Sequence, residues 1–259
     1  MMNFNIQKQP IIKVDNLTVY RGNYLALRDV SFTIMPGTDT AIVGPNGAGK
    51  STLIQGILGL IPRQFGQVEI LGRSIERLGN WCHKIGYMPQ NFIFDHSFPI
   101  SVSELVGLGW VNLGKNNWKF WQQEKEKKEA IKQALERVNM YHLRKQAIGT
   151  LSGGQFKRLL LAYCLVMPRQ LLVLDEAFAG VDSQGTAEFY QLLKELKIEE
   201  NWTVLQISHD IDMVSKNCDR VLCVNQTIVC HGKPEIALSP ENLLNTYGEG
   251  FSRYYHHHN

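Results

Sequence analysis

The stretch TAIVGPNGAGKSTLIQGILGL, residues 40–60, decides the fold. A short apolar run, Thr40–Val43, meets a glycine loop, and the residues beyond it have helical character. Gly44, Pro45, Asn46, Gly47, Ala48, Gly49, Lys50 and Ser51 fit the pattern GxxxxGK[ST], with Thr52 following. Glycine tolerates the backbone conformations that let consecutive N–H groups close around phosphate oxygens. The helix after such a loop adds its positive N-terminal end. Lys50 is placed to reach the β- and γ-phosphates of a nucleotide, and Ser51 to give its hydroxyl to Mg²⁺.

Two further apolar runs share this layout. LLVL (Leu171–Leu174) meets Asp175 and Glu176, and VLQIS (Val204–Ser208) meets His209. Continuous apolar runs suit parallel strands covered on both faces, and such sheets carry their chemistry at the strands' carboxyl ends. The polar groups are therefore expected along one edge. Upstream, IIKVDNLTVYRGNYLALRDVSFTIMPG (Ile11–Gly37) alternates and is broken by turn residues, which predicts antiparallel strands. Between about residues 92 and 150 the pattern changes: WQQEKEKKEAIKQALERV (Trp121–Val138) sets Ala130, Ile131, Ala134, Leu135 and Val138 on one helical stripe, its Lys/Glu run on the solvated side. The predicted fold class is α/β: a core with a mainly parallel sheet, an N-terminal antiparallel β region and an inserted α-helical subdomain. One composite module is expected over residues 11–235, its helical insert at about 91–153, with a short C-terminal extension at 236–259.

Asp175, at the end of its strand, is placed to hold Mg²⁺ through the ion's water shell, and Glu176 to polarise an attacking water. LSGGQ (Leu151, Ser152, Gly153, Gly154, Gln155) looks like a second phosphate cradle. Ser152 is a good helix N-cap, the helix can run until Pro168, and its first amides and glycines form an anion site. The chain has only one phosphate-loop lysine. The economical resolution is that the second cradle binds the γ-phosphate of a nucleotide held by another copy, the two facing head to tail.

Composition excludes other classes. With 44% hydrophobic and 20% charged residues the chain is globular, and a net charge of +3 is too weak a field for nucleic acid as the main partner. The longest apolar runs fall short of a membrane span. The N-terminus lacks the basic start and apolar block of a secretion signal, which makes a cytoplasmic location the default. Five cysteines without CxxC spacing suit a reducing compartment. Cys223 and Cys230 read as small buried hydrophobes rather than, with Cys218 and His231, as a metal site. His256–His258 read as a solvated end or a remnant of cloning rather than a metal sensor.

Nearly the whole chain resembles the ABC ATPases, the nucleotide-binding subunits of ATP-binding cassette systems. The ordered motifs that carry the resemblance are Gly44–Thr52, Gln90 in YMPQN, Leu151–Gln155, Leu171–Glu176, AGVD ending at Asp182, and His209. It implies a P-loop NTPase core that binds ATP and Mg²⁺ and hydrolyses ATP. Gln90 is implied to touch Mg²⁺ and the attacking water and to report to a transmembrane partner, His209 to contact the γ-phosphate, and Asp182 to communicate across the dimer. Tyr20 is similar to the aromatic that stacks on adenine. Ala177, Phe156 and Tyr163 depart from the family's usual proline, polar residue and arginine, which touches rate or packing and no phosphate, metal or water contact. The repair and translation members usually carry a coiled-coil insertion or two cassettes in one chain, which implies a transporter subunit here rather than a non-transport soluble ABC ATPase. Such a subunit works with separate transmembrane permease subunits and an extracytoplasmic substrate-binding protein, at the cytoplasmic face of the membrane. Asn91–Gly109 and Cys230–Gly248 resemble the branch that imports manganese, zinc or chelated iron, with iron-siderophore and haem importers the nearest rival.

Overall fold

Alternation upstream of the glycine loop translates directly into strands. The computed structural model describes residues 9–90, 92, 99–111, 120–177 and 183–248. Their fold divides into two units, one made of residues up to Leu78 together with those from Leu205 onward, the other of Gly79–Val204.

In the first unit, β1 (Ile12–Arg21) and β2 (Tyr24–Ile34) precede β3 (Asp39–Val43), α1 (Lys50–Ile57), β4 (Phe65–Ile70) and β5 (Arg73–Ser74). β1 pairs antiparallel with both β2 and β4, giving a four-stranded sheet in the order β2-β1-β4-β5. Ile12, Val14, Leu17 and Val19 of β1 are buried. The two-residue alternation slips once, where Asn16 adopts φ 52° and the register shifts, so that both halves of the strand keep their apolar residues inside.

The second unit holds β6 (Ile85–Met88), α2 (Val102–Leu108), α3 (Phe120–Arg137), α4 (Gly153–Leu165), β7 (Leu171–Asp175) and α5 (Ser183–Glu200). β6 and β7 run parallel, Ile85 beside Leu171 and Met88 beside Leu174. Every residue of β7 is buried, as a strand covered on both faces requires. Ala134, Leu135 and Val138 lie in the core with Leu105, Leu159 and Leu161, and Ala130 and Ile131 pack against it. Arg137 bonds Glu199 and Glu200 of α5, at 2.5 Å each. Arg169 is buried, with no carboxylate paired to it among the described residues. Its guanidinium donates to the carbonyls of Cys164 (3.1 Å), Gly109 (3.0 Å) and His83. Burial pushes its pKa down from the usual range, and the three carbonyls supply the acceptors that a buried cation needs.

The division between units falls inside β8 (Thr203–Ile207). Beyond it the first unit resumes with α6 (Ile211–Asn217), β9 (Arg220–Asn225), β10 (Thr227–Gly232), α7 (Pro234–Ala237) and α8 (Pro240–Tyr247). β9 runs parallel to β3 and antiparallel to β10. The polar residue inside the VLQIS run, Gln206, is fully buried, and its amide donates to Asp39 at 2.7 Å.

One expectation is overturned. Cys223 and Cys230 are not separate thiols: the β9–β10 hairpin sets them opposite one another, Cα atoms 5.0 Å apart, and they are joined as a disulfide. The pairing depends on a register shift between Ile228 and Cys230, which cysteine spacing does not reveal. Cys82, Cys164 and Cys218 are outside the disulfide. Among the described residues, no helix is long and apolar enough to cross a membrane.

Candidate nucleotide-binding site

The glycine loop of the first unit is built for close approach. Gly44, Gly47 and Gly49 have φ of 153°, 78° and 95°, a region where side chains are strained. Gly49 caps α1, so the helix opens at Lys50, its first amides directed toward the loop. Lys50 is 5% exposed, and its Nζ donates to the Gly44 and Pro45 carbonyls, each at 2.9 Å. The ammonium is thereby held over the loop. A cradle of exposed amides, a fixed cation and the hydroxyls of Ser51 and Thr52 suits a polyphosphate and a hard divalent cation.

Space around the glycines separates two outcomes. A Cβ at Gly44 would stand 2.0 Å from the Val224 carbonyl oxygen, whereas one at Gly47 would meet nothing within 4 Å. Gly44→Ala is therefore expected to cost about 2–4 kcal/mol and to abolish nucleotide binding. Gly47→Ala should cost only the backbone strain, about 1–2 kcal/mol. Thermal melting and fluorescent-nucleotide titration of both variants check the contrast, and equal effects would contradict it.

His209 follows β8 on the same unit. The Ser208 N–H donates to the Ile42 carbonyl at 3.3 Å, which brings His209 to the edge where β3 runs into Gly44. His209 is exposed, and the next residue, Asp210, caps α6 through the Met213 N–H at 2.9 Å. Tyr20 is 38% exposed and sits opposite Leu25 of β2. The neighbouring Ala26 carbonyl and Leu27 side chain of that strand abut Gly49.

Two supports of the loop escape a reading of motifs. The Gln226 N–H donates to the Ala48 carbonyl at 2.8 Å, and the Arg28 N–H donates to the Gln226 carbonyl at 2.8 Å. Gln226 therefore props the loop from the β9–β10 turn. It does so at φ 61°, a conformation that glycine usually signals in sequence. Tyr247, the last residue of α8, bonds the main chain of Gly44; burial pushes its pKa up, and that hydrogen bond opposes the shift.

In the second unit Asp175 ends β7 at 2% exposed. Glu176 follows with φ 50°, a left-handed turn that costs a non-glycine residue of order 1–3 kcal/mol and persists where surrounding structure holds it. One such hold is Gln90, whose amide donates to Glu176 Oε2 at 2.5 Å. The two residues are brought together by the parallel pairing of β6 and β7. Tyr87, on β6, is pushed up to about 12 by burial and by the charge of Asp175, and so stays neutral near pH 7. Lys157, the fifth residue of α4, is half-buried. Burial pushes its pKa down, while Glu176 and Asp175 pull it up, which places a cation in the field of both carboxylates.

The LSGGQ stretch forms the start of α4. Ser152 Oγ accepts from the Gln155 N–H at 3.3 Å, and the Gln155 side chain accepts from the Ser152 N–H at 3.0 Å, a reciprocal capping box. Leu151 packs on the unit's core. The cap uses the third amide of the helix, so the Gly153 and Gly154 amides have no acceptor within the helix. They are donors of the kind found at the start of α1, and the first turn of α4 carries no lysine. Asp182 lies outside the described residues.

A glycine loop with its lysine, followed by a strand that runs into Asp175 and Glu176, defines a phosphate-loop nucleotide-binding protein. A model of the family described as ABC transporter matches residues 27–179, more than half of the chain, which therefore belongs to the ABC transporter family. The zinc import ATP-binding protein ZnuC of Pasteurella multocida is 35% identical over all of this chain and 91% of its own length. The manganese transport system ATP-binding protein MntB of Listeria monocytogenes is 37% identical over 92% of this chain and 96% of its own. Among solved structures, cbiO1 of Clostridium perfringens, part of the ABC transporter complex cbiONQ, superposes with a TM-score of 0.75 at 32% identity, covering 91% of this chain and 93% of that one. The α/β fold expected from the sequence is thereby established.

Proposed function

We propose that this chain is the ATPase that energises import of a transition metal ion, zinc or manganese, through separate transmembrane permease subunits. The observation that carries the reading is the pairing of two different helix starts in one chain: the Lys50 loop, and the capped start of α4, whose first turn carries no lysine. A cradle with no lysine in its loop or first turn suits a phosphate held elsewhere, which supports a head-to-tail dimer. In it Leu151–Gln155 of one copy faces the ATP held by Gly44–Thr52 of the other. The names carried by the zinc and manganese relatives support the cargo.

In the proposed reaction Tyr20 stacks on adenine, while Lys50 and the loop amides hold the β- and γ-phosphates. Ser51, Asp175 and Gln90 supply the oxygen ligands that Mg²⁺ takes, directly or through its water shell. The ion, when bound, offsets negative charge on the phosphates. Glu176 accepts a hydrogen bond from the water and orients its oxygen at the γ-phosphorus, and Gln90 fixes the direction of that carboxylate. As the water attacks, its proton passes to Glu176, the bond from the γ-phosphorus to the bridging oxygen breaks, and ADP and inorganic phosphate leave. Lys50, His209 and the other copy's Ser152 stabilise the spreading charge, and Asp182 passes the state of one site across the dimer. Closure on ATP and opening after hydrolysis then drive the permease, with the chain at the cytoplasmic face of the membrane and an extracytoplasmic binding protein delivering the metal.

The test is cellular uptake of radiolabelled zinc, manganese, iron chelate and haem in the source organism lacking the gene, restored as wild type or as Glu176→Gln. Zinc or manganese uptake should fall at least about tenfold, as expected when a transporter loses its ATPase, and only wild type should restore it. A fall confined to iron chelate or haem would move the cargo to those ligands. Uptake unchanged in all four arms would discard metal import.

A further inference from the structure

Two phenylalanines, one beside LSGGQ and one beside Gln90, touch one another in the second unit. Phe92, two residues beyond Gln90, is 41% exposed. Its ring centroid lies 5.7 Å from that of Phe156, the planes inclined at 50°, within the range where aromatic rings attract through their quadrupoles. Phe156 stands one helical turn beyond Ser152, and its N–H donates to the Ser152 carbonyl at 2.8 Å. Its side chain also packs against the core of the unit. At the other end Gln90 donates to Glu176. Glu176 thus bonds Gln90, and two positions further along the chain Phe92 meets Phe156, on the helix that Ser152 caps.

The consequence depends on the head-to-tail reading above, on which this inference rests. There, Glu176 and Gln90 of one copy serve that copy's own ATP, while its Ser152 serves the ATP of the other. We propose that the Phe92–Phe156 ring contact couples the two ATP sites of the dimer. Seating Gln90 against Glu176 at one site sets the pitch of the α4 start that completes the other. The two phenylalanines are positioning residues, whose effect passes through Gln90 and Ser152. One aromatic contact can transmit a coupling of about 2–10-fold.

The test measures steady-state hydrolysis by the full chain against ATP concentration for wild type, Phe92→Leu, Phe156→Leu, the double variant and Phe156→Tyr. Binding of a fluorescent ATP analogue to dilute single chains and thermal melting are followed alongside. Wild type should give a Hill coefficient above 1, as coupled sites require. Each leucine variant should bring it to about 1 and lower kcat by about 2–10-fold, with analogue affinity changed less than about twofold. The double variant should be no worse than either single, since one contact is lost in all three, and Phe156→Tyr should restore the steepness. A wild-type coefficient of 1, leucine variants that keep wild-type steepness, additive losses in the double variant, or losses that follow melting temperature and are not restored by tyrosine would each overturn the proposal. Ser152→Ala separates the two layers. Normal turnover in that variant removes the head-to-tail reading itself, whereas an inactive Ser152→Ala beside unaltered leucine variants removes only the coupling.

Discussion

Glu176→Gln is expected to slow ATP hydrolysis by about 10²–10⁴-fold, the usual worth of a positioned general base, while ATP remains bound. Glutamine preserves the length of the side chain and can still accept the hydrogen bond from Gln90 that the carboxylate receives at 2.5 Å. It loses the negative charge that draws a proton from water. The left-handed turn at φ 50° is set by the backbone, so the substituted side chain starts from the same place. Binding and chemistry should therefore separate: the variant retains radiolabelled ATP through gel filtration and, by light scattering, runs at the mass of two chains. A variant that hydrolyses within tenfold of wild type, or that binds ATP and stays single, would remove Glu176 from the role given to it.

Ser152→Ala should be nearly as severe by a different route, losing about 10²–10³-fold in turnover, the effect of deleting one donor to developing charge, with single-chain ATP affinity retained. Part of the loss is local, because the capping box through Gln155 disappears and a lost cap costs about 0.5–2 kcal/mol. Mixing separates the local part from the part acting on the other copy. Chains carrying Ser152→Ala still own Lys50, and chains carrying Lys50→Ala still own Ser152. A mixed head-to-tail dimer thus contains one complete site, and an equimolar mixture should recover up to roughly a quarter of wild-type turnover, half the dimers being mixed and one site in two intact. If each chain used its own Ser152 on its own ATP, mixing would restore nothing.

Much of this site is written locally in the chain. GPNGAGKST is legible because left-handed backbone is recorded there as glycine, and because β3, β7 and β8 are buried along their whole length, which leaves their apolar runs unbroken. The cap at Ser152 is equally local, its partner three residues away. Pairings made by distant segments are silent. The Gln90–Glu176 bond joins residues 86 apart in the chain, and their motifs name each residue without naming the contact. Gln226 supports the loop in a conformation that its residue type does not advertise, and Tyr247 reaches Gly44 from the far end of the chain. The Cys223–Cys230 link was misread for the same reason, since it follows from hairpin register, and the register from a slip inside β10.

Arg169 has a mechanical meaning. One guanidinium rivets the end of α2 at Gly109, the end of α4 at Cys164 and the turn at His83, and Gly109 is so close to α4 that a Cβ there would stand 2.5 Å from the Tyr163 carbonyl. Two rods pinned at one end by a stiff planar fork do not slide past each other. The pin stands at the C-terminal ends of both helices, at the end of α4 away from Ser152, so Arg169 fixes their spacing where the helices' own hydrogen bonding runs out.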